Sequence, residues 1–149
     1  MLYINKKMLN ELAKKNLKEN KKNADKIIKD IVENTILKNE CLLYDKHKEI
    51  RNASISDQWI KEKFFDFTGY EASINELRYD KSIFSDINIF YFIAELNNKL
   101  ENKFFRKIVL YFSLIDLDID LRFHSFRASE TDWMSNDLDC YDHPIICMK

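Results

Sequence analysis

The sequence predicts a single α+β domain over residues 1–149, with a helical N-terminal two-thirds packed against a small antiparallel C-terminal sheet. Three observations lead there. Apolar residues in the first third recur at helical spacing, residues 106–114 form one nearly unbroken hydrophobic run, and residues 116–124 alternate strictly between charged and apolar side chains. With 46% hydrophobic and 13% aromatic residues, the chain has ample core material for one domain and too much for disorder. A single Gly and a single Pro exclude glycine-rich phosphate loops and dinucleotide fingerprints, whose backbones need several glycines to approach phosphate. No repeat, linker or low-complexity tract divides the sequence.

Met8, Leu9, Leu12, Ala13 and Leu17 make a first helical stripe, and Ala24, Ile27, Ile28, Ile31, Val32 and Thr35 or Ile36 a second. Residues 18–23 between them are wholly polar, and Asn23 suits an N-cap, which predicts two helices rather than one long one. Residues 40–53 are ambiguous. Ser54 to Asp57 has capping-box form, followed by Trp59, Ile60, Phe64 and Phe67 on a stripe that Gly69 can end in a left-handed cap. Ser73 to Glu76 repeats the capping-box form before a short turn. Asp86 can open a further helix with Ile87, Phe90, Tyr91, Ala94 and Leu100 facing inward; residues 87–93 also have strand composition, but 94–101 favour helix.

The run 106–114 reads as a buried strand and 117–126 as its antiparallel neighbour, joined near Ile115 and Asp116. Ser129 to Asp132 is a third capping box, opening a short helix through Trp133 and Leu138. Pro144 breaks it, and residues 145–148 return as a strand.

Charge is uneven along the chain, although the total is −1. Residues 1–38 hold ten lysines against five acids, a net of +5, whereas residues 115–143 hold eight acids against two arginines, a net of −6. Such asymmetry speaks to partners. The lysines are most simply the solvated face of amphipathic helices; a nucleic-acid-binding regulator built on them is an alternative, but they lack Arg or aromatic companions. Cys41, Cys140 and Cys147 form no Cys-x-x-Cys pair and read as free thiols. No leader peptide and no stretch near ~20 apolar residues is visible, so a cytoplasmic protein without membrane contact is expected.

The alternating strand carries the chemistry. Asp116, Asp118, Asp120, Arg122 and His124 share one parity, and Leu117, Ile119, Leu121 and Phe123 the other. The expectation is a greasy face on the core and a charged face in solvent, either meeting a partner or forming an ion-pair network with the following helix. A metal-dependent hydrolase or nuclease using Asp118, Asp120 and His124 is a second alternative. The spacing opposes it: residues i and i+2 lie about 6.5–7 Å apart along a strand, too far to share one ion without ligands from elsewhere. Cys140 with His143 or His124 suggests a nucleophile and base, but no pocket or oxyanion donor pair accompanies them. His47, between two lysines, reads as solvent-facing. Neither a cofactor nor a metal is expected.

Arg122-Phe-His124-x-x-Arg127, then Trp133 in an acidic setting and Leu138-x-x-Tyr141-x-x-Pro144-Ile-Ile, after a Val-Leu-Tyr-Phe-Ser strand, resembles small bacterial immunity proteins of polymorphic-toxin and contact-dependent growth inhibition systems. The resemblance covers roughly the last fifty residues. It implies a protein that is not an enzyme and that binds a cognate toxin domain, often a nuclease, commonly through acidic side chains that mimic phosphate. The partner expected here is a basic toxin domain rather than nucleic acid. The contact residues expected are Asp116, Asp118, Asp120, Arg122, His124, Arg127, Asp132, Trp133, Asp137 and Asp139, with Trp133 as an aromatic anchor.

Overall fold

The structure, a computed structural model, describes residues 1–14 and 20–149; Leu17 and Lys18 of the expected first helix and polar stretch lie outside the described residues. The elements are β1 (Leu2–Ile4), α1 (Lys6–Ala13), α2 (Lys21–Asn34), β2 (Thr35–Lys38), β3 (Cys41–Tyr44), α3 (Asp57–Phe64), α4 (Phe67–Ile74), β4 (Leu77–Asp80), α5 (Ile89–Phe104), β5 (Ile108–Ile115), β6 (Asp118–Ser125) and β7 (Ile145–Met148). Two sheets result: five strands in the order β1-β7-β5-β6-β4, with every neighbouring pair antiparallel, and the hairpin β2-β3. The α+β organisation is as expected, but the edge strands β1 and β4 are drawn from the N-terminal two-thirds expected to be helical.

Helix boundaries follow the capping side chains. Asn5 accepts the Met8 N–H at 2.9 Å to open α1. Asn20, not Asn23, caps α2, accepting the Asn23 N–H at 3.2 Å. Thr35 and Ile36 leave the helical stripe for β2, where a β-branched pair suits extended backbone. Ser56 rather than Ser54 caps α3, and Asn88 rather than Asp86 caps α5, whose inward face is Ile89, Phe92, Ile93, Leu96 and Leu100 while Ala94 is exposed.

Gly69 does not end a helix. It lies in the first turn of α4, where an added Cβ would meet the Phe64 carbonyl oxygen at 2.6 Å, so the only glycine of the chain permits α3 and α4 to approach. The left-handed cap after α3 falls to Phe65, at φ 68°. Ser73 to Glu76 is the end of α4 and the entry to β4, not a new helix.

The helix expected after Ser129 does not form; the chain from 126 to 143 runs irregularly to a 3-10 turn at Leu138–Cys140. Its capping residues are engaged elsewhere: Glu130 accepts the Thr68 N–H at 2.8 Å, and Asp132 pairs with Lys149. Tertiary partners outcompete the local cap.

One face of the five-stranded sheet carries Leu110, Phe112, Ile119, Leu121 and Phe123 onto α1, α2 and α5, with Met8, Ile28, Ile31, Phe92 and Leu96 filling the layer between. Complete burial of a side chain of this size contributes roughly 1.5–3 kcal/mol. The opposite face is covered too. Val109, Tyr111, Ile145 and Cys147 pack beneath Leu138, Met134 and Tyr141 of the irregular segment. A third cluster joins β2-β3 to α3 and α4 through Cys41, Leu43, Ile60 and Tyr70.

Candidate protein-binding surface

Strand β6 has two unlike ends. At its C-terminal end the expected solvent-facing charge is buried. Burial leaves His124 only 1% and Asp120 5% exposed. The reason lies next door: His124 and Arg122 stand opposite Val109 and Tyr111 of β5, which are apolar and covered by the 126–143 segment. Asp120 and Arg122 bond at 2.9 Å, and Arg122 also reaches Glu76 at 2.7 Å and the Ala72 carbonyl at 3.2 Å. The Arg122 guanidinium lies 5.5 Å from the Trp133 ring centroid, a cation–π contact. Desolvation pushes the His124 imidazole below its ordinary pKa, against the opposing pull of its Ser125 carbonyl bond and the Glu71 and Asp132 charges.

Beside this end, α4 performs a task that no sequence pattern announced. Glu71 and Asn75, one helical turn apart and both fully buried, supply hydrogen bonds to the facing edges of β3 and β6. Glu71 accepts the Leu42 N–H at 2.6 Å and also the Ser125 N–H, while the Asn75 amide donates to the Leu42 and Phe123 carbonyls at 2.7 and 2.9 Å. Asn75 Oδ1 takes the Tyr44 N–H at 2.7 Å. Two side chains thus satisfy backbone groups that a further strand would otherwise pair. Arg127 closes the clasp with 2.9 and 3.2 Å bonds to Glu71. Burial opposes its charge, but hydrogen bonding and attraction to Glu71 leave the guanidinium pKa above its ordinary value. Arg127 is therefore a positioning group within the fold. A lone acid in the apolar stretch Phe67–Ile74 was the available signal.

The N-terminal end of β6 is the reverse. Asp116 and Leu117 form the tight turn between β5 and β6, Asp116 at φ 52°, a conformation that Asp tolerates better than most residues. Asp116 and Asp118 are exposed, and Asp118 stands directly opposite Asp80 on β4. Like charges facing across strands destabilise a sheet, yet no ion pair reaches Asp80, Asp116 or Asp118 among the described residues. The Ser82 hydroxyl and N–H hold the Asp80 carboxyl below its usual range. Leu117 crowns the group at 79% exposed, and the Lys81 N–H donates to its carbonyl at 2.8 Å, two residues before Ile83, which is 46% exposed. The result is an acidic ridge with an apolar tip.

The remaining expected contacts are scattered. Asp132 is half-buried against Lys149 at 2.5 Å. Asp137 caps the 3-10 turn, and Asp139 accepts the Lys6 N–H at 2.8 Å. Asp139 and Asp142 also pair with Lys6 and Lys7 at 3.5 and 3.2 Å. The basic and acidic ends of the sequence therefore meet in space and partly neutralise each other. Trp133, 40% exposed, is neither core nor free of the fold.

The alternative chemistries find their residues apart. Asp118 is in solvent while Asp120 and His124 are committed to Arg122 and the Ser125 carbonyl, so the three do not converge. Cys41 and Cys147 are pushed up to about 12, burial being the largest cause for each, and Cys140 bonds neither His143 nor His124 among the described residues. No helix among the described residues is long and apolar enough to cross a membrane.

The match to a known family spans residues 3–149, from β1 to the end of β7. The chain belongs to the uncharacterized protein PM0498 family. No curated protein and no solved structure matches it. The family match covers the buried clasp and the acidic ridge alike.

Proposed function

We propose that this chain is a non-catalytic, immunity-type protein that binds and neutralises a basic toxin domain through the acidic ridge at the β5-β6 turn. The observation that carries the reading is Asp80 facing Asp118 across two strands, with Asp116 beside them and no salt bridge to any of the three among the described residues, Arg78 acting on Asp118 only through its charge. Apposed carboxylates cost stability, and a basic partner converts that cost into attraction. Exposed Leu117 adds apolar area to the acidic group, and interfaces combine an apolar centre with a polar rim. The resemblance of the last fifty residues to toxin-neutralising proteins supports the choice of partner. Asp116 and Asp118 remain contact residues; Asp120, His124 and Arg127 give way to Asp80 and Leu117.

The test offers the purified protein the C-terminal domain encoded immediately upstream and follows binding by biolayer interferometry. Tight binding is expected, with association slowed by Asp116→Asn/Asp118→Asn and by added salt, since screening acts over roughly 8–10 Å. Absence of binding at micromolar concentration, or binding that both substitutions leave unchanged, would overturn the reading.

A further inference from the structure

A cleft of about 560 Å³ opens beside the acidic ridge. One wall is a single face of α2, running from Asn23 through Ile27 to Asp30, and the other is the corner after β4, with Tyr79, Ile83 and Asp86. The cleft and the ridge share one stretch of chain. Asp80 and Lys81 lie between Tyr79 and Ser82 in the chain, and the Lys81 N–H is bonded to the Leu117 carbonyl at the crown of the ridge.

The polar groups of the cleft are unequally engaged. Asp30 is occupied, taking the Tyr44 hydroxyl at 2.9 Å and Lys46 at 3.4 Å. Asp86 is not: its Oδ2 accepts only neutral amides, from Asn20 at 2.7 Å and Asn23 at 3.4 Å, and no cation pairs with it among the described residues. The Tyr79 hydroxyl has no hydrogen-bond partner among the described residues, and burial followed by the Asp30 charge pushes it up to about 12, so it stays a neutral donor and acceptor. Ile27 and Ile83 supply apolar lining. Two lysines oppose a cation: Lys26 on the exposed rim, and Lys46, which also lines the cleft but is paired with Asp30.

We infer that this cleft seats an arginine side chain of the partner that the acidic ridge binds, the guanidinium on Asp86 and Tyr79 and the aliphatic stem along Ile27 and Ile83. Arginine fits better than lysine. Its planar fork can donate to a carboxylate and a phenol together, and its weaker hydration suits a part-buried seat. A stem laid on apolar side chains with the charge on a carboxylate is the form that binding hot spots take. The inference rests on the reading of the ridge as the face that meets a basic domain.

The probe is N-acetyl-arginine amide at millimolar concentration, titrated into the full chain and followed through backbone N–H shifts, against its neutral isostere N-acetyl-citrulline amide. Saturable shifts at Ile27, Tyr79, Ile83 and Asp86 are expected with the arginine compound alone. They should vanish in Asp86→Asn and persist in Asp116→Asn/Asp118→Asn. Because Asp86 also anchors the start of α2, Ile83→Lys serves as a second variant: it leaves both carboxylates in place, sets a cation at the cleft, and should abolish the shifts with unfolding temperature unchanged. Equal shifts with citrulline, or shifts confined to the ridge, would overturn the inference. In the complex with the upstream-encoded domain, Asp86→Asn should weaken affinity about tenfold, the scale of one such contact. A complex that depends on Asp116 and Asp118 yet tolerates Asp86→Asn overturns the cleft and leaves the function standing. Arginine-specific shifts in the cleft, with no domain bound by the ridge, uphold the cleft and overturn the function.

Discussion

The two ends of β6 use the same residue types for opposite purposes. At the C-terminal end Asp120 and His124 are buried and Arg122 half-buried; Arg122 bonds Asp120 and reaches Glu76, and Arg127 bonds Glu71. At the N-terminal end Asp118 faces Asp80 in solvent with no salt bridge to either among the described residues. What separates them is the covering: the 126–143 segment and α4 lie over one end, whereas the carboxylates of the other stay exposed, Asp80 bonded only by Ser82 among the described residues. A charge in a strand is structural or available according to what lies above it, which the strand itself does not encode.

The largest expected break is at the clasp. Glu71→Ala removes the acceptor for two backbone N–H groups and takes from the largely buried Arg127 its nearest carboxylate, leaving Glu130 at 3.9 Å, so stability should fall by about 3–5 kcal/mol in urea unfolding. A joint Glu71→Leu/Arg127→Met replacement should lose distinctly less than Glu71→Ala, because no charge is then stranded. A joint loss as large would mean that the backbone bonds, not the ion pair, hold β3 to β6.

Trp133 sits between the two regimes. Its ring is 40% exposed and covers the Arg122 guanidinium. Trp133→Ala should cost about 1–2 kcal/mol, from partial burial and the cation–π contact. A loss near ~3–5 kcal/mol would make it a core residue; faster dissociation from the partner would add an anchor role.

His124 gives the buried end a pH signature. Its folded pKa lies below the ordinary 6.5, so the unfolded chain binds the proton more readily. Stability is thus fully present above 6.5 and falls as pH drops toward the folded value. The slope should stay under about 1.4 kcal/mol per pH unit, the ceiling for a single proton. Urea midpoints from pH 7.5 to 5.5 should show the decline in the natural protein and a flatter profile in His124→Asn.

The smallest stability effect belongs to the ridge. Asp118→Asn relieves the repulsion with Asp80 and should raise Tm slightly, by about 1–2 °C, while slowing association with the basic domain proposed as partner. A variant that loses both stability and binding would show that Asp118 is structural after all, and the contrast between the two ends would collapse.

Several of these features were legible in the residues. The continuous hydrophobic run of β5 and the alternation of β6 placed the central hairpin, because side-chain period follows from backbone geometry alone. The run of β5 held a further clue: a strand apolar on both parities needs cover on both faces, so the polar parity of β6 beside Val109 and Tyr111 could not all be in solvent. Four-residue β4 and three-residue β1 carry too little pattern to announce themselves, and they exist because the sheet offers edges to pair with. The caps at Asn20, Ser56 and Asn88 lie three, two and two residues from the Asn, Ser and Asp that local pattern favoured, since several polar residues stand near every helix start and packing selects among them.

The sequence by itself determined the composition of the core, the α+β class, the central hairpin and the acidic character of the turn, because these rest on periodicity and on side-chain chemistry. Only the tertiary structure decided which charges are spent inside. The Glu71–Arg127 clasp joins residues 56 positions apart, and Asp80 meets Asp118 across a pairing of strands. The physical reason is that burial and electrostatic partnership are properties of neighbours in space. A carboxylate reads the same along the chain whether it bridges two strand edges or waits, exposed, for a partner.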